Sequence, residues 1–143
     1  MSELPDDFLA ARGYLSVARG DREKGFFWSA CLTAQKAGEA ALQAYVRSQG
    51  MRADADSMPV LVAEVPGRTP DLERAAALLE RFRMDMVSPY RSFAGPDPDP
   101  TAEAAALCCQ AAEAIVAHVA ALFGSDDVAS AAGPARPAAR EVS

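Results

Sequence analysis

One histidine, His118, and three cysteines, Cys31, Cys108 and Cys109, are the side chains of this sequence best suited to nucleophilic, acid–base or metal chemistry. Serine or cysteine catalysis needs a base within hydrogen-bond reach of the attacking group. The single imidazole sits beside Val116, Ala117 and Val119 in an alanine-rich run and reads as a core or groove histidine. No catalytic residue is therefore assigned. A zinc centre needs about three or four Cys, His or carboxylate ligands, and no such cluster is visible in the sequence. Carboxylate-bridged di-iron bundles use Glu-x-x-His pairs, whereas His118 follows Glu113 at a five-residue spacing. A glycine-rich phosphate loop is also missing, so neither a metal nor a cofactor is expected. Cys108 and Cys109 are adjacent and point to different sides of a helix, which does not suit a mutual disulfide. Three buried thiols in a reducing compartment are expected. The aromatic run Phe26, Phe27, Trp28 has two readings. It can stack a nucleobase, or it can pack in a core or dimer interface at the start of an amphipathic helix.

The elements that would position these groups all read as helices, because Gly and Pro punctuate segments of helical period and no alternating strand pattern stands out. A first helix is expected from after Pro5 to about Arg19, with Phe8, Leu9, Tyr14, Leu15 and Val17 as apolar positions and an end or bend at Gly20–Asp21. A second runs from near Gly25 to about Ser48, and Gly50 stops it. Its stripe is Phe27, Ala30/Cys31, Ala34, Ala37/Gly38, Ala41 and Ala44/Tyr45, at i, i+3/i+4 spacing. So narrow a row of small side chains lets a second backbone approach closely, either inside a bundle or across a dimer. "SMPVLVAEV" suits a short helix with Ser57 as N-cap and Pro59 in the first turn. "TPDLERAAALLERFRMDM" opens a third main helix with Thr69 as cap, Pro70 at N1 and Asp71 and Glu73 at the positive end. It should end at Val87–Ser88, before Pro89. Thr101 caps a fourth, 101–123, which Gly124 stops, and residues 125–143 lack large apolar side chains and are expected to be disordered. The fold class is all-α: an antiparallel four-to-five-helix up-down bundle spanning residues 1–124.

Composition narrows the partners. The 143 residues carry 14 Lys/Arg and 20 Asp/Glu, a formal charge of −6, which argues against DNA as a partner. Residues 1–50 balance, so a local basic patch is allowed. The start "MSELPDDFLAARG" is acidic and unlike a signal peptide. No apolar stretch is expected to reach the roughly 18–20 residues that span a bilayer. A soluble, cytoplasmic protein without a membrane partner is expected.

The second helix and its surroundings resemble the HEPN domain (higher eukaryotes and prokaryotes nucleotide-binding). In "GDREKGFFWSACLTAQKAGEAALQAYVRSQG", Phe27, Ala30, Ala34, Gln35, Ala37, Glu39, Ala41, Leu42, Ala44 and Tyr45 fall in the family's register. The resemblance extends over residues 6–123. It implies a small bundle that dimerises and binds a nucleotide, RNA or a partner protein, such as the minimal nucleotidyltransferase of a toxin–antitoxin pair.

Catalytic HEPN proteins are metal-independent ribonucleases that use an arginine followed, four to six residues on, by a histidine at the junction of the third and fourth helices. Here "ERFRMDMVSPYRSFAGP" holds Arg81, Arg83 and Arg91 but no histidine. Aligning Phe82 and Pro89 with the family's aromatic and proline places Val87 at the arginine position, and the same interval back from His118 reaches only Ala111, Ala112 or Glu113. Proton transfer from a ribose 2′-hydroxyl then lacks its agent. The resemblance therefore implies a binding module. At that junction Arg83, Tyr90 and Arg91 are the candidate ligand residues for phosphate and base, with Asp85 orienting an arginine; the same residues could instead form a surface ion-pair corner. Phe27, Ala30, Ala34, Ala37 and Ala41 are assigned to core or dimer interface. A ribonuclease toxin with a degenerate motif and a purely structural adaptor are the alternatives.

Overall fold

A computed structural model of the chain describes residues 4–53, 57–87 and 101–128, with the backbone alone at 83–87 and 125–128. Among the described residues there are five helices and no strand: α1 (Asp6–Glu23), α2 (Phe27–Ser48), α3 (Met58–Val62), α4 (Pro70–Val87) and α5 (Ala102–Val128).

The helix starts follow local chemistry. Ser57 Oγ accepts from the Val60 amide at 3.4 Å, Thr69 Oγ1 from Leu72 at 3.1 Å, and Thr101 Oγ1 from Ala104 at 3.1 Å. Each threonine or serine satisfies one of the amides that a helix leaves without an internal partner. Two helices run further than glycine placement suggested. α1 continues past Gly20 to Glu23, and α5 past Gly124 to Val128. Glycine ends a helix when the chain turns left-handed there. That happens at Gly25 (φ +83°) and Gly50 (φ +79°), and not at Gly20 or Gly124.

Contacts between helices fix their directions. Asp7 meets Arg47 at 3.6 Å, while Ser29 Oγ donates to Asp21 Oδ2 at 2.6 Å, so α1 and α2 are antiparallel. Phe8 stacks edge-on against Phe123 (centroids 5.4 Å) and Arg19 Nε donates to Glu113 Oε2 at 2.8 Å, so α1 is antiparallel to α5 as well. α2 and α5 are parallel: the Cys31 thiol near the start of α2 adjoins Cys108 near the start of α5, and the Tyr45 ring lies 6.2 Å from that of Phe123 at their ends. The order is up-down-up-down with α3 beside α2 and α4. In such a bundle α2 and α5 are diagonal partners, yet here they touch, and no Cα of α1 lies within 8 Å of one in α4 among the described residues.

Small side chains permit this closed diagonal. Ala30, Ala34, Ala37, Ala41 and Ala44 of α2 and Ala105, Cys108, Cys109 and Ala112 of α5 are buried. The alanine row of α2 is thus part of the core of one chain. Around it Phe8, Leu15, Leu42, Met58, Leu61, Leu79, Ile115 and Val119 supply the bulk of the apolar burial.

Two expectations are corrected. Of the apolar positions assigned to α1, only Phe8 and Leu15 are buried, joined by Ala11 and Ala18; Leu9, Tyr14 and Val17 face outward. α1 carries apolar residues on two faces, and packing on α2 and α5 selects the one containing small alanines. The Ala102–Gly124 segment, moreover, is long and apolar enough by length and composition to cross a membrane. Its alanines and cysteines raise its apolarity, and in the fold Cys108, Ala112, Ile115 and Val119 face the bundle core.

Candidate functional site

α4 ends and α5 begins at one end of the bundle. Arg83 and Asp85 are on the last turns of α4, with side chains outside the described residues. Tyr90 and Arg91 lie outside the described residues altogether. Residues 81–91 hold three arginines against one aspartate, a net positive segment in a chain of charge −6.

The α1–α2 turn is at the same end. The Phe26 amide donates to Asp21 O at 2.8 Å, and Ser29 holds the Asp21 side chain, which fixes the turn across Gly25. This splits the aromatic run. Phe27 packs against the core, whereas Phe26 is 57% and Trp28 47% exposed. Arg22 and Lys24 are exposed beside them. Phe26 and Trp28 are thus flat apolar surfaces exposed at this end, with Arg22 and Lys24 close to them in sequence.

His118 is elsewhere. Its Nε2 lies 2.8 Å from the carbonyl oxygen of Pro66, and its ring covers Gly67, where an added Cβ would meet Cε1 at 3.6 Å. Sixteen residues separate it from the start of α5, about 24 Å along a helix rising 1.5 Å per residue. The imidazole ties the α3–α4 loop to α5. Arg68 supports the same loop, donating from Nη1 to Ala63 O at 3.0 Å and from Nε to Glu73 Oε2 at 3.0 Å.

The three thiols are buried and unbridged. The hydrogen bond with Cys31, and then burial, push the Cys108 thiol far up; burial likewise raises Cys109. The first proton of the Cys31–Cys108 pair would leave Cys31, whose thiolate Cys108 stabilises by hydrogen bonding while burial opposes it. This contact joins α2 to α5 and is not readable from sequence spacing. Gln35, 2% exposed, is a buried polar side chain whose Nε2 donates to Glu39 Oε1 at 3.4 Å. No group of three His, Cys, Asp or Glu side chains that could hold a metal ion occurs among the described residues.

An all-α, up-down bundle with a closed α2–α5 diagonal and an arginine-bearing α4–α5 junction is the class of molecule these features define. Solved structures of the same shape name the fold. The chain superposes on TT1696 from Thermus thermophilus with a TM-score of 0.71 at 29% identity, covering 84% of this chain and 98% of that one. ST0689, an archaeal HEPN homologue, gives 0.68 at 23% identity over 86% and 99% of the two chains. A HEPN domain protein from Thermotoga maritima (TM0613) gives 0.65 at 23% over 84% and 98%. No protein-family model and no curated protein matches the chain. The fold is that of the HEPN domain.

Proposed function

We propose that the chain is a cytoplasmic, non-catalytic HEPN-type binding module that holds a nucleotide or single-stranded RNA at the α4–α5 junction. The observation that carries this reading is the separation of the one histidine from that junction, together with the arginines that remain there. Arg83 and Arg91 supply cations for phosphate, with Asp85 to orient one of them, and Tyr90 offers a ring to a base. The exposed Phe26 and Trp28 at the same end extend the surface on which bases can stack. The binding partner in a toxin–antitoxin pair, a minimal nucleotidyltransferase, is the alternative occupant of this end.

Trp28 is the sole tryptophan, so its fluorescence reports on this end of the molecule. Titration with a short single-stranded RNA, without metal, should quench Trp28 and weaken steeply with salt. The double variant Arg83→Ala/Arg91→Ala should lose most of that binding. The RNA should be recovered intact. RNA cleavage that Arg91→Ala abolishes would overturn the reading in favour of a ribonuclease with an altered site. No response to RNA or to a nucleotide panel would overturn it in favour of a protein partner or an adaptor.

A further inference from the structure

All three cysteines of the chain meet at one level of the α2–α5 diagonal. Two contacts set the register of these parallel helices without reference to sulfur. A Cβ on Gly38 would lie 3.4 Å from Ile115 Cδ1, and the Tyr45 ring lies 6.2 Å from that of Phe123. Ile115 follows Gly38 by 77 residues, and Phe123 follows Tyr45 by 78. Carried back towards the helix starts, the same offsets place Cys31 opposite Cys108 and Cys109. The Cys31 and Cys108 thiols do adjoin, and both are fully buried.

Small residues line this diagonal, so the two backbones are close where the thiols meet. With Cα atoms about 2.3 Å from each axis, residues facing across axes about 9 Å apart have Cα atoms about 4–5 Å apart. Slightly staggered residues are somewhat further apart. A disulfide bridges Cα separations of about 4.4–6.8 Å. Cys109 is turned about 100° from Cys108 along the helix, towards α1, where the charges of Arg22 and Arg19 reach it. The facing pair is therefore Cys31 with Cys108. Its two thiols are unlike: Cys31 gives up its proton first, and Cys108 keeps its own. One sulfur is thus the nucleophile and the other waits to close the bond.

We propose that Cys31 and Cys108 are an oxidisable dithiol, which a small peroxide closes to an intramolecular disulfide that locks α2 to α5. The Cys31 thiolate attacks one oxygen of hydrogen peroxide; an S–O bond forms, the O–O bond breaks and hydroxide leaves. The Cys108 sulfur then attacks the Cys31 sulfenic acid, forming the S–S bond as the hydroxyl departs with the Cys108 proton as water. In sum two thiols lose two electrons and two protons, and one peroxide becomes two waters. Burial selects the oxidant, since peroxide is small and uncharged whereas a bulky reagent must wait for unfolding. Cys31 lies four residues into α2 and Cys108 six residues into α5. The bond therefore forms within two turns of the end that carries Phe26, Trp28 and the start of α5. It closes the long loop from Cys31 to Cys108, which restricts the unfolded chain and stabilises the folded one. The proposal stands on the helix register alone, and loss of RNA binding would not disturb it.

Peroxide treatment of the folded full chain, followed by intact mass and peptide mapping, tests this. The mass should fall by two hydrogens, about 2 Da, with the Cys31 and Cys108 peptides linked within one chain. The Tm should rise, and should return to its first value after reduction in urea and refolding. Cys31→Ala and Cys108→Ala should each abolish the loss of two hydrogens, whereas Cys109→Ala should keep it. Circular dichroism checks that each variant is folded, and the peptide map of the unaltered chain decides the question if one is not. Recovery of all three thiols intact after prolonged exposure to excess peroxide overturns the proposal. So does their separate oxidation to sulfinic acids without a bridge. A bridge through Cys109, or between two chains, overturns the pairing of Cys31 with Cys108. A Tm that falls as the bridge forms overturns its fit to the α2–α5 diagonal.

Discussion

Gly38 of α2 faces side chains from α3, α4 and α5 at once, and replacing it with alanine separates two opposing effects. Alanine in place of glycine in a helix interior normally stabilises by about 1 kcal/mol. At Gly38, however, the new Cβ would lie 2.8 Å from Leu79 Cδ1, 2.8 Å from Met58 Cε and 3.4 Å from Ile115 Cδ1. These atoms are the far ends of side chains, which can rotate, but all three residues are buried and surrounded by core. Inserting one methyl into such a site costs about 1–3 kcal/mol, partly relieved by the flexible methionine. The expected net result is destabilisation of about 1 kcal/mol, or about 4 °C in Tm for a chain of this size. Gly13→Ala is the internal control. It is also mid-helix, its Cβ meets nothing, and it should stabilise by about 1 kcal/mol. Urea unfolding of both variants should separate them by about 2 kcal/mol. If Gly38→Ala stabilises as much as Gly13→Ala, the close approach of α3, α4 and α5 to α2 is wrong.

The buried thiols predict a pH dependence. In the unfolded chain Cys108 releases its proton near the ordinary value of 9.0, while the folded chain keeps it far higher. Above pH 9 the folded state then keeps protons on Cys108 and Cys109 that the unfolded chain has lost, so these two groups make stability fall as pH rises beyond it, while the lowered Cys31 acts in the opposite direction below it. Cys108→Ala should flatten this fall in urea titrations, and none of the three thiols should react with a bulky aromatic disulfide reagent until the chain unfolds. His118→Ala removes the bond to Pro66 and should cost about 1 kcal/mol without altering RNA-induced quenching of Trp28; lost quenching would place the histidine in the binding site after all.

What could be read in the sequence was local. Ser57, Thr69 with Pro70, and Thr101 each start a helix, because a hydroxyl and the amides it caps lie within three residues of one another. The α2 stripe was equally legible, since five alanines at helical spacing leave one way to bury a face. The inside of α1 was not. Leu9, Tyr14 and Val17 are larger than Ala11 and Ala18, and size suggested the wrong side; only the proximity of α2 and α5 favours the alanines. Gly20 and Gly124 misled for a related reason, because glycine permits a left-handed exit without requiring one. At the candidate site, the absence of a histidine near the α4–α5 junction was readable directly. That Phe26 and Trp28 turn outward while Phe27 turns inward depended on the Asp21–Ser29 clasp, a contact between two helices.

The closed α2–α5 diagonal connects these observations. In a square bundle each helix touches two neighbours, and α1 and α4 would both face a central cavity filled by large side chains. Here alanines, cysteines and Gly38 let α2 and α5 meet, and the two other helices are displaced to opposite sides of that pair. α4 is completed by α3 and by the His118–Pro66 tie, so its far end is free to carry a charged junction without loosening the core. The inner face of α1 needs only small residues to lie close on the pair, and Leu9, Tyr14 and Val17 are exposed on its outer side. The same small residues that hold the core together therefore set α1 and α4 on opposite flanks of the α2–α5 pair.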